Sequence, residues 1–330
     1  MIAETRSPAT AAGEMAEDKT AGDETAVDGD SGGPAVELRG ARLELGERLL
    51  WDGLDLRVRP GEFVAVLGPN GSGKTTLVNV LLGRRRLTAG HVLVGGRAPG
   101  ARGTRIGYIP QQRALETDLP LRARDLVGLG LDGHRFGLSS TGRASARPGS
   151  AGLSSAGLSS AGPGCGTGRR RPGLLAARRE RRARVDAALA AVDANRYADQ
   201  PVGRLSGGEQ QRLRVAQAMV GDPELLLCDE PLLSLDLANQ SVVSRLIDRR
   251  RAEAGTAVLF VTHEINPILP MVDRVLYLVD GRFRVGTPEQ VMTSETLSEL
   301  YRTQVDVLRV RDRLVVVGTD DAGCHPHEDR

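Results

Sequence analysis

The sequence predicts an α/β fold built on a mostly parallel core sheet, and three observations predict it. Three unbroken apolar runs stand at Phe63 to Leu67, Leu225 to Cys228 and Val258 to Val261; helical patterns lie between them; and a stretch of alternating residues precedes the first run. Short runs without alternation suit strands covered on both faces. Helices between such strands supply the crossovers that a parallel sheet requires. A chain of 330 residues with 40% hydrophobic composition can bury a core of that size.

The elements follow in chain order. Residues 1–34 are rich in Ala, Thr, Gly, Asp and Glu, with almost no aromatic or long aliphatic group. They bury too little surface to offset their ordering entropy, so a disordered acidic leader is expected there. Order is expected from Val36, where Val36, Leu38, Leu43 and Leu45 alternate as edge strands do. Leu54, Leu56 and Val58 follow ahead of Pro60-Gly61, completing an antiparallel region before the core. Residues 138–173, in which Ser-Ala-Gly-Leu-Ser recurs, read as a flexible Gly/Ser-rich insertion. The arginine-dense segment from Arg169 to Arg184 runs into a helical pattern through Val185, Leu189 and Val192. A solvated helix face is expected there in preference to a nucleic-acid or lipid-headgroup site. The stretch VDVLRVRDRLVVVG alternates around Arg311-Asp312-Arg313 and predicts a terminal hairpin, with residues 319–330 a disordered tail.

Bulk composition excludes several classes. Lys and Arg total 44 against 42 Asp and Glu, a formal charge of +2, so no global field recruits nucleic acid or anionic lipid. Cys165, Cys228 and Cys324 lack paired or metal-ligand spacing, which points to a reducing compartment, most simply the cytoplasm. No stretch approaches the roughly 20 apolar residues that span a bilayer, and no basic region followed by an apolar run opens the chain. Any membrane part is expected on another chain.

The phosphate-binding signal is Gly68-Pro69-Asn70-Gly71-Ser72-Gly73-Lys74-Thr75-Thr76, between the run Phe63 to Leu67 and a helical pattern through Leu77, Val80 and Leu81. Strand, glycine-rich loop and helix in that order are the context of a P-loop. The glycines let successive N–H groups face phosphate oxygens, Lys74 adds a point charge, and the Thr75 hydroxyl can ligate Mg²⁺. The second half of the site is Leu225-Leu226-Leu227-Cys228-Asp229-Glu230, a strand ending in two carboxylates. Asp229 is expected to hold Mg²⁺ through its water shell, and Glu230 to accept a proton from attacking water. ATP and Mg²⁺ are the expected ligands.

At Leu205-Ser206-Gly207-Gly208-Glu209-Gln210 the sequence resembles the signature motif of ABC ATPases, and Tyr108-Ile109-Pro110-Gln111, Ser234-Leu235-Asp236 and Thr262-His263 take the places of the remaining family landmarks. The resemblance covers roughly residues 36–318. It implies an ABC ATPase domain over 35–318, with a mostly parallel core sheet, an antiparallel β subdomain and a helical signature subdomain. By that resemblance Ser206, Gly207 and Gly208 present a helix amino terminus to ATP held by Lys74 of the opposite subunit. Gln111 senses Mg²⁺ and couples to the membrane subunit, Asp236 links the two sites, and His263 contacts the γ-phosphate. Glu230, His263 and Gln111 are thus the catalytic set. One motif set per chain implies a dimer, most simply of identical copies. The implied partners are a separate transmembrane permease and, indirectly, a solute-binding protein, with no nucleic acid; the implied location is the cytoplasmic face of the membrane.

Two departures from the family pattern stand out. Where members carry an aromatic residue to stack on adenine this chain has Leu45, which implies weaker apolar contact; nearby Trp51 has a register that fits core packing. The Gly/Ser insertion before the signature helix is expected to be a surface extension. The stretch THEINPILPMVDRVLYLVDGRFRVGTPEQVM looks most like the ATPase subunits of zinc and manganese importers, and Asp118-Leu119-Pro120-Leu121 is similar to that subfamily too. The ATPases of siderophore and haem importers are related and remain an alternative. Cys324-His325-Pro326-His327 groups metal-ligand types in the tail; an incidental grouping is expected there, with zinc sensing as the alternative. Two other classes compete. A soluble translation or repair ABC protein is opposed by the single cassette and by a Gly/Ser loop where heptads belong. A non-hydrolysing module, which Leu45 keeps open, is opposed by Lys74, Asp229, Glu230 and His263.

Overall fold

Strand β1 (Val36–Leu45) turns through Gly46-Glu47 into β2 (Arg48–Val58), and the two pair antiparallel from Val36 opposite Val58 to Leu45 opposite Arg48. The computed structural model describes residues 33–111, 121–131 and 174–318. Outside them lie most of the predicted leader, the Asp118–Pro120 part of the subfamily motif, the Gly/Ser insertion, Arg169 to Pro172, Cys165, and the tail with Cys324, His325 and His327.

After β3 (Phe63–Leu67) and α1 (Lys74–Leu81), strand β4 (Ala89–Val94) pairs with the free side of β1, giving the three-stranded order β2-β1-β4. The expectation that the first strand is an edge is therefore corrected: β1 is the middle strand. Its second neighbour is hard to read because Ala-Gly-His opens β4 and only Val94 of that strand is buried.

The chain then supplies β5 (Ile106–Ile109), α2 (Ala123–Leu129), α3 (Leu174–Ala191), α4 (Gly207–Met219), β6 (Leu225–Asp229), α5 (Leu237–Ala254), β7 (Ala257–Val261), β8 (Arg274–Val279) and β9 (Arg282–Gly286). These five strands and β3 form one sheet in the order β5-β6-β7-β3-β8-β9, parallel except for the last pair. All five residues of β3, β6 and β7 are buried, as the unbroken apolar runs predicted. The strand period of two then divides them between two cores.

Phe63, Ala65 and Leu67 of β3, with Leu226, Cys228, Val258 and Phe260, join the α2, α3, α4 and α5 side, where Phe63 and Phe260 stack at 5.6 Å. Val64 and Val66, with Leu225, Leu227, Leu259 and Val261, join α1 and the β1–β2 ribbon on the other side. Each such aliphatic contributes about 1.5–3 kcal/mol when fully buried, so a one-residue register slip would exchange both cores.

Helix α3 carries Arg178, Arg179, Arg182 and Arg184 on an exposed face and buries Val185 and Leu189, as its pattern predicted. Arg124 of α2 pairs with Asp199 at 2.6 Å, and Arg181 of α3 donates to the Gly128 carbonyl at 2.9 Å. No helix among the described residues is long and apolar enough to cross a membrane.

The carboxy-terminal part adds α6 (Pro288–Val291), α7 (Ser294–Tyr301) and the hairpin of β10 (Val305–Val310) and β11 (Arg313–Gly318), the last as predicted. Its outer backbone groups are met by side chains. Ser298 and Ser294 accept from the Val305 and Val307 amides, while Asn266 accepts from the Leu314 amide and donates to the Leu314 carbonyl.

Candidate active site

The phosphate loop begins where β3 ends. Its geometry depends on Gly73, the residue before α1, which has φ +101°. A Cβ there would lie 2.6 Å from the Trp51 ring, so any other residue is excluded by both conformation and space. Trp51 is fully buried, as its register predicted, and backs the loop from β2.

Lys74 opens α1 and is only 5% exposed. Its ammonium donates to the Gly68 and Pro69 carbonyls at 2.7 and 2.8 Å, so the loop curls around the cation and leaves its third donor for an anion. Burial pulls the Lys74 pKa down, against the opposing pull of Glu230 and Asp229. The next residue, Thr75, donates its hydroxyl to Asp229 at 3.2 Å. Asp229 is 2% exposed, and burial pushes its pKa up; the Thr75 hydrogen bond and Lys74 oppose this, while Glu230 adds to it.

A hydroxyl and a buried carboxylate, both hard oxygen donors, fit Mg²⁺. That ion takes one or two protein oxygens and completes its shell with water and phosphate. Among the described residues no group of three or more His, Cys, Asp or Glu could hold a metal by itself.

Glu230 follows Asp229 in the left-handed region at φ +49°, with its amide donating to the Val261 carbonyl of β7 at 2.9 Å. Such a conformation costs a non-glycine residue on the order of 1–3 kcal/mol. It turns consecutive carboxylates to different tasks, with Asp229 facing Thr75 and Glu230 facing the open cleft. There the Gln111 amide, just past β5, donates to Glu230 at 3.2 Å, and the His263 Nδ1 beyond β7 lies 3.8 Å from the same carboxylate. Ends of three adjacent parallel strands thus bring Gln111, Glu230 and His263 together.

These residues and the loop line one cleft of about 860 Å³ with Leu45, Arg48, Leu50 and Leu233. A volume in the upper part of the range for ligand sites suits an ATP-sized molecule. Gly68, Pro69, Asn70, Gly71, Gly73, Lys74, Thr75 and Thr76 all face it, whereas Ser72 is buried behind. Leu50 and Arg48 carried no sequence signal. They reach the cleft because Leu45 and Arg48 are cross-strand partners, whose side chains share a face, and Leu50 lies two residues on.

The other predicted residues stand elsewhere. Ser206, Gly207, Gly208 and Asp236 do not line the cleft. Ser206 caps α4 in a reciprocal box: its hydroxyl donates to the Glu209 carboxylate at 2.9 Å, and its amide does so at 3.0 Å. Burial alone would raise the Glu209 pKa, but these bonds with Arg196 and Arg212 bring it below the ordinary value. Asp236 caps α5, accepting from the Asn239 amide and side chain at 2.8 Å each. Asn239 lies against Gly208, where a Cβ would come within 2.5 Å of its side-chain oxygen. The amino ends of α4 and α5 therefore form one patch, joined at Gly208.

Comparison with known proteins gives a family match over residues 51–233, described as ABC transporter. The chain is 33% identical to the zinc import ATP-binding protein ZnuC of Yersinia enterocolitica, over 78% of this chain and 81% of that protein. It is 37% identical to the aliphatic sulfonates import ATP-binding protein SsuB 1 of Nocardia farcinica, over 77% and 81%. Among solved structures, the dimeric ATP-binding cassette MJ0796 bound to ADP and phosphate matches with TM-score 0.56 at 26% identity, over 76% of this chain and 98% of that one. An inward-facing metal-chelate type ABC transporter matches in fold, with TM-score 0.63 at 23% identity, over 86% and 96%.

Proposed function

The chain belongs to the ABC transporter family as an ATP-hydrolysing subunit, and from that premise we propose that it powers import of a divalent metal ion, zinc or manganese, through a separate permease. The observation that carries the ATPase chemistry is the convergence of Lys74, Thr75, Gln111, Glu230 and His263 on one cleft. The loop amides and Lys74 bind the β- and γ-phosphates. Gln111 holds the Glu230 carboxylate toward the γ-phosphate end, where Glu230 accepts the proton of the attacking water. His263, 53% exposed at the mouth, donates to the γ-phosphate. Thr75 and Asp229 hold Mg²⁺, which when bound neutralises phosphate charge.

The working unit in this reading is two copies, each supplying Ser206, Gly207 and Gly208 to the other's nucleotide, with Asp236 between the sites. It is supported by a cleft that lacks those residues in the single chain, and by the dimeric state of the related cassette. Gln111 at the cleft rim conveys closure to the permease at the membrane, and a solute-binding protein delivers the cargo to that permease. The metal reading rests on the zinc-import relative and on the sequence resemblance. The sulfonate-import relative, at 37% identity, favours a second reading in which the cargo is an organic anion.

Uptake assays in cells lacking this chain distinguish the two. Loss of zinc or manganese accumulation, restored by the wild type and not by Glu230→Gln, is expected. Intact metal uptake with lost sulfonate uptake overturns the metal reading and leaves the ATPase standing.

A further inference from the structure

We propose that the Arg48 guanidinium is the planar surface on which the base of the nucleotide rests, an inference that presupposes the ATPase reading. The direction of the nucleotide follows from the cleft. Its γ-phosphate end is set by Gln111, Glu230 and His263, so ribose and base leave the loop toward the opposite wall, made by Leu45, Arg48 and Leu50. Among the described residues no Phe, Tyr or Trp lines the cleft, and the nearby Trp51 ring is fully buried behind Gly73. Leu45 offers apolar contact and no flat face.

Arg48 offers that face. As the cross-strand partner of Leu45 it points to the same side, and its Nη1 lies 3.4 Å from the position a side chain at Gly71 would begin, over the middle of the phosphate loop. Its side chain is 57% exposed and loosely held, reaching the carboxylate of Asp280, itself 79% exposed, at 3.7 Å. A guanidinium is planar, weakly hydrated and stacks on π systems, and Leu45 and Leu50 flank it with apolar surface. The arrangement replaces a stacked ring by a stacked cation at the position directly across the strand pair.

The test is calorimetric titration of the full chain with ATP and with tripolyphosphate, which has the phosphates and no base. Arg48→Ala is expected to weaken ATP about fivefold and to leave tripolyphosphate within about twofold. Arg48→Lys, which keeps the charge and loses the plane, is expected to match Arg48→Ala, and Leu45→Tyr added to Arg48→Ala to restore ATP affinity. Equal weakening of both ligands would make Arg48 a phosphate contact and overturn the proposal, as would wild-type ATP affinity in Arg48→Ala or Arg48→Lys. A wild-type chain that binds neither ligand overturns the ATPase reading itself, a result separable from failure at Arg48.

Discussion

The phosphate cleft and the signature patch differ in how their polar groups are satisfied. In the cleft, Lys74 and Asp229 are buried ions whose pKa values are both displaced toward the neutral form, and Glu230 is held in a strained conformation. In the patch, Ser206 and Glu209 cap one helix reciprocally and Asp236 caps the next, so each polar group already has a partner. Burial works against the charged groups of the cleft, whereas capping hydrogen bonds favour the carboxylates of the patch. Charged groups buried in a ligand cleft bear their own desolvation, whereas helix-capping groups are satisfied within the chain.

The largest expected effect breaks the cleft at its base. Glu230→Gln keeps the shape and the Gln111 contact but removes the proposed proton acceptor, so steady-state ATP turnover should fall on the order of a hundredfold or more while nucleotide binding persists. Near-normal turnover in that variant would move the base elsewhere. Next comes the patch. Ser206→Asn keeps a good N-cap and an N–H that can face the Glu209 carboxylate, so thermal stability should stay near that of the wild type, but it replaces by a bulkier amide the hydroxyl that the proposed dimer presents to the partner's phosphate. Turnover should drop at least about tenfold, as when a hydrogen bond to a charged group is lost. Unchanged turnover would show that the patch never meets a nucleotide, and the contrast between the regions would then be one of packing alone.

A third test concerns the buried ion itself. Burial raises the Asp229 pKa in the folded chain, so the folded state holds that proton more tightly than the unfolded state does. The associated stability is present below the ordinary carboxylate range and is lost as pH rises through the raised value. Above that raised value the full cost is in force. Asp229→Asn should make the ligand-free protein more stable by about 1 kcal/mol, read as a higher denaturation midpoint, while abolishing stabilisation by Mg²⁺ with ATP. A destabilised Asn variant would mean that the charge, through its stronger Thr75 bond and its attraction to Lys74, outweighs the burial cost.

What was legible in the sequence follows the same division. Phe63 to Leu67, Leu225 to Cys228 and Val258 to Val261 could be read because strands buried on both faces leave an unbroken apolar run. The phosphate loop could be read because its glycines and Lys74 answer to local backbone geometry. β4 could not, since Ala-Gly-His interrupts it and its partner β1 lies more than forty positions back in the chain. Nor could the Gln111 to Glu230 hydrogen bond, which joins the ends of two strands 119 residues apart. Arg48 escaped for the opposite reason: an arginine beside a turn is ordinary, and only the pairing of Leu45 with Arg48 aims it into the cleft. The left-handed backbone at Glu230 has no sequence signature, because its cost is met by the sheet around it.

The smallest expected effect lies at the hairpin, which belongs to neither region and is tied to the cleft side alone. Asn266 stands three residues after His263 and imitates a neighbouring strand by exchanging two hydrogen bonds with the backbone of Leu314. Asn266→Ala leaves that amide and carbonyl without their partners, a loss of about 1–2 kcal/mol. Val305 and Leu314 remain buried, and the serine bonds to the Val305 and Val307 amides remain, so the hairpin should loosen without detaching. Exchange of the Leu314 amide hydrogen should accelerate about tenfold, since local opening reports the lost bonds directly. ATP turnover should stay within about twofold, because Glu230 is positioned by its own bonds to Val261 and Gln111 and not through residue 266. Turnover that falls in step with exchange would instead extend the strained region from the cleft through His263 into the hairpin, and the boundary between the two kinds of surface would have to be redrawn there.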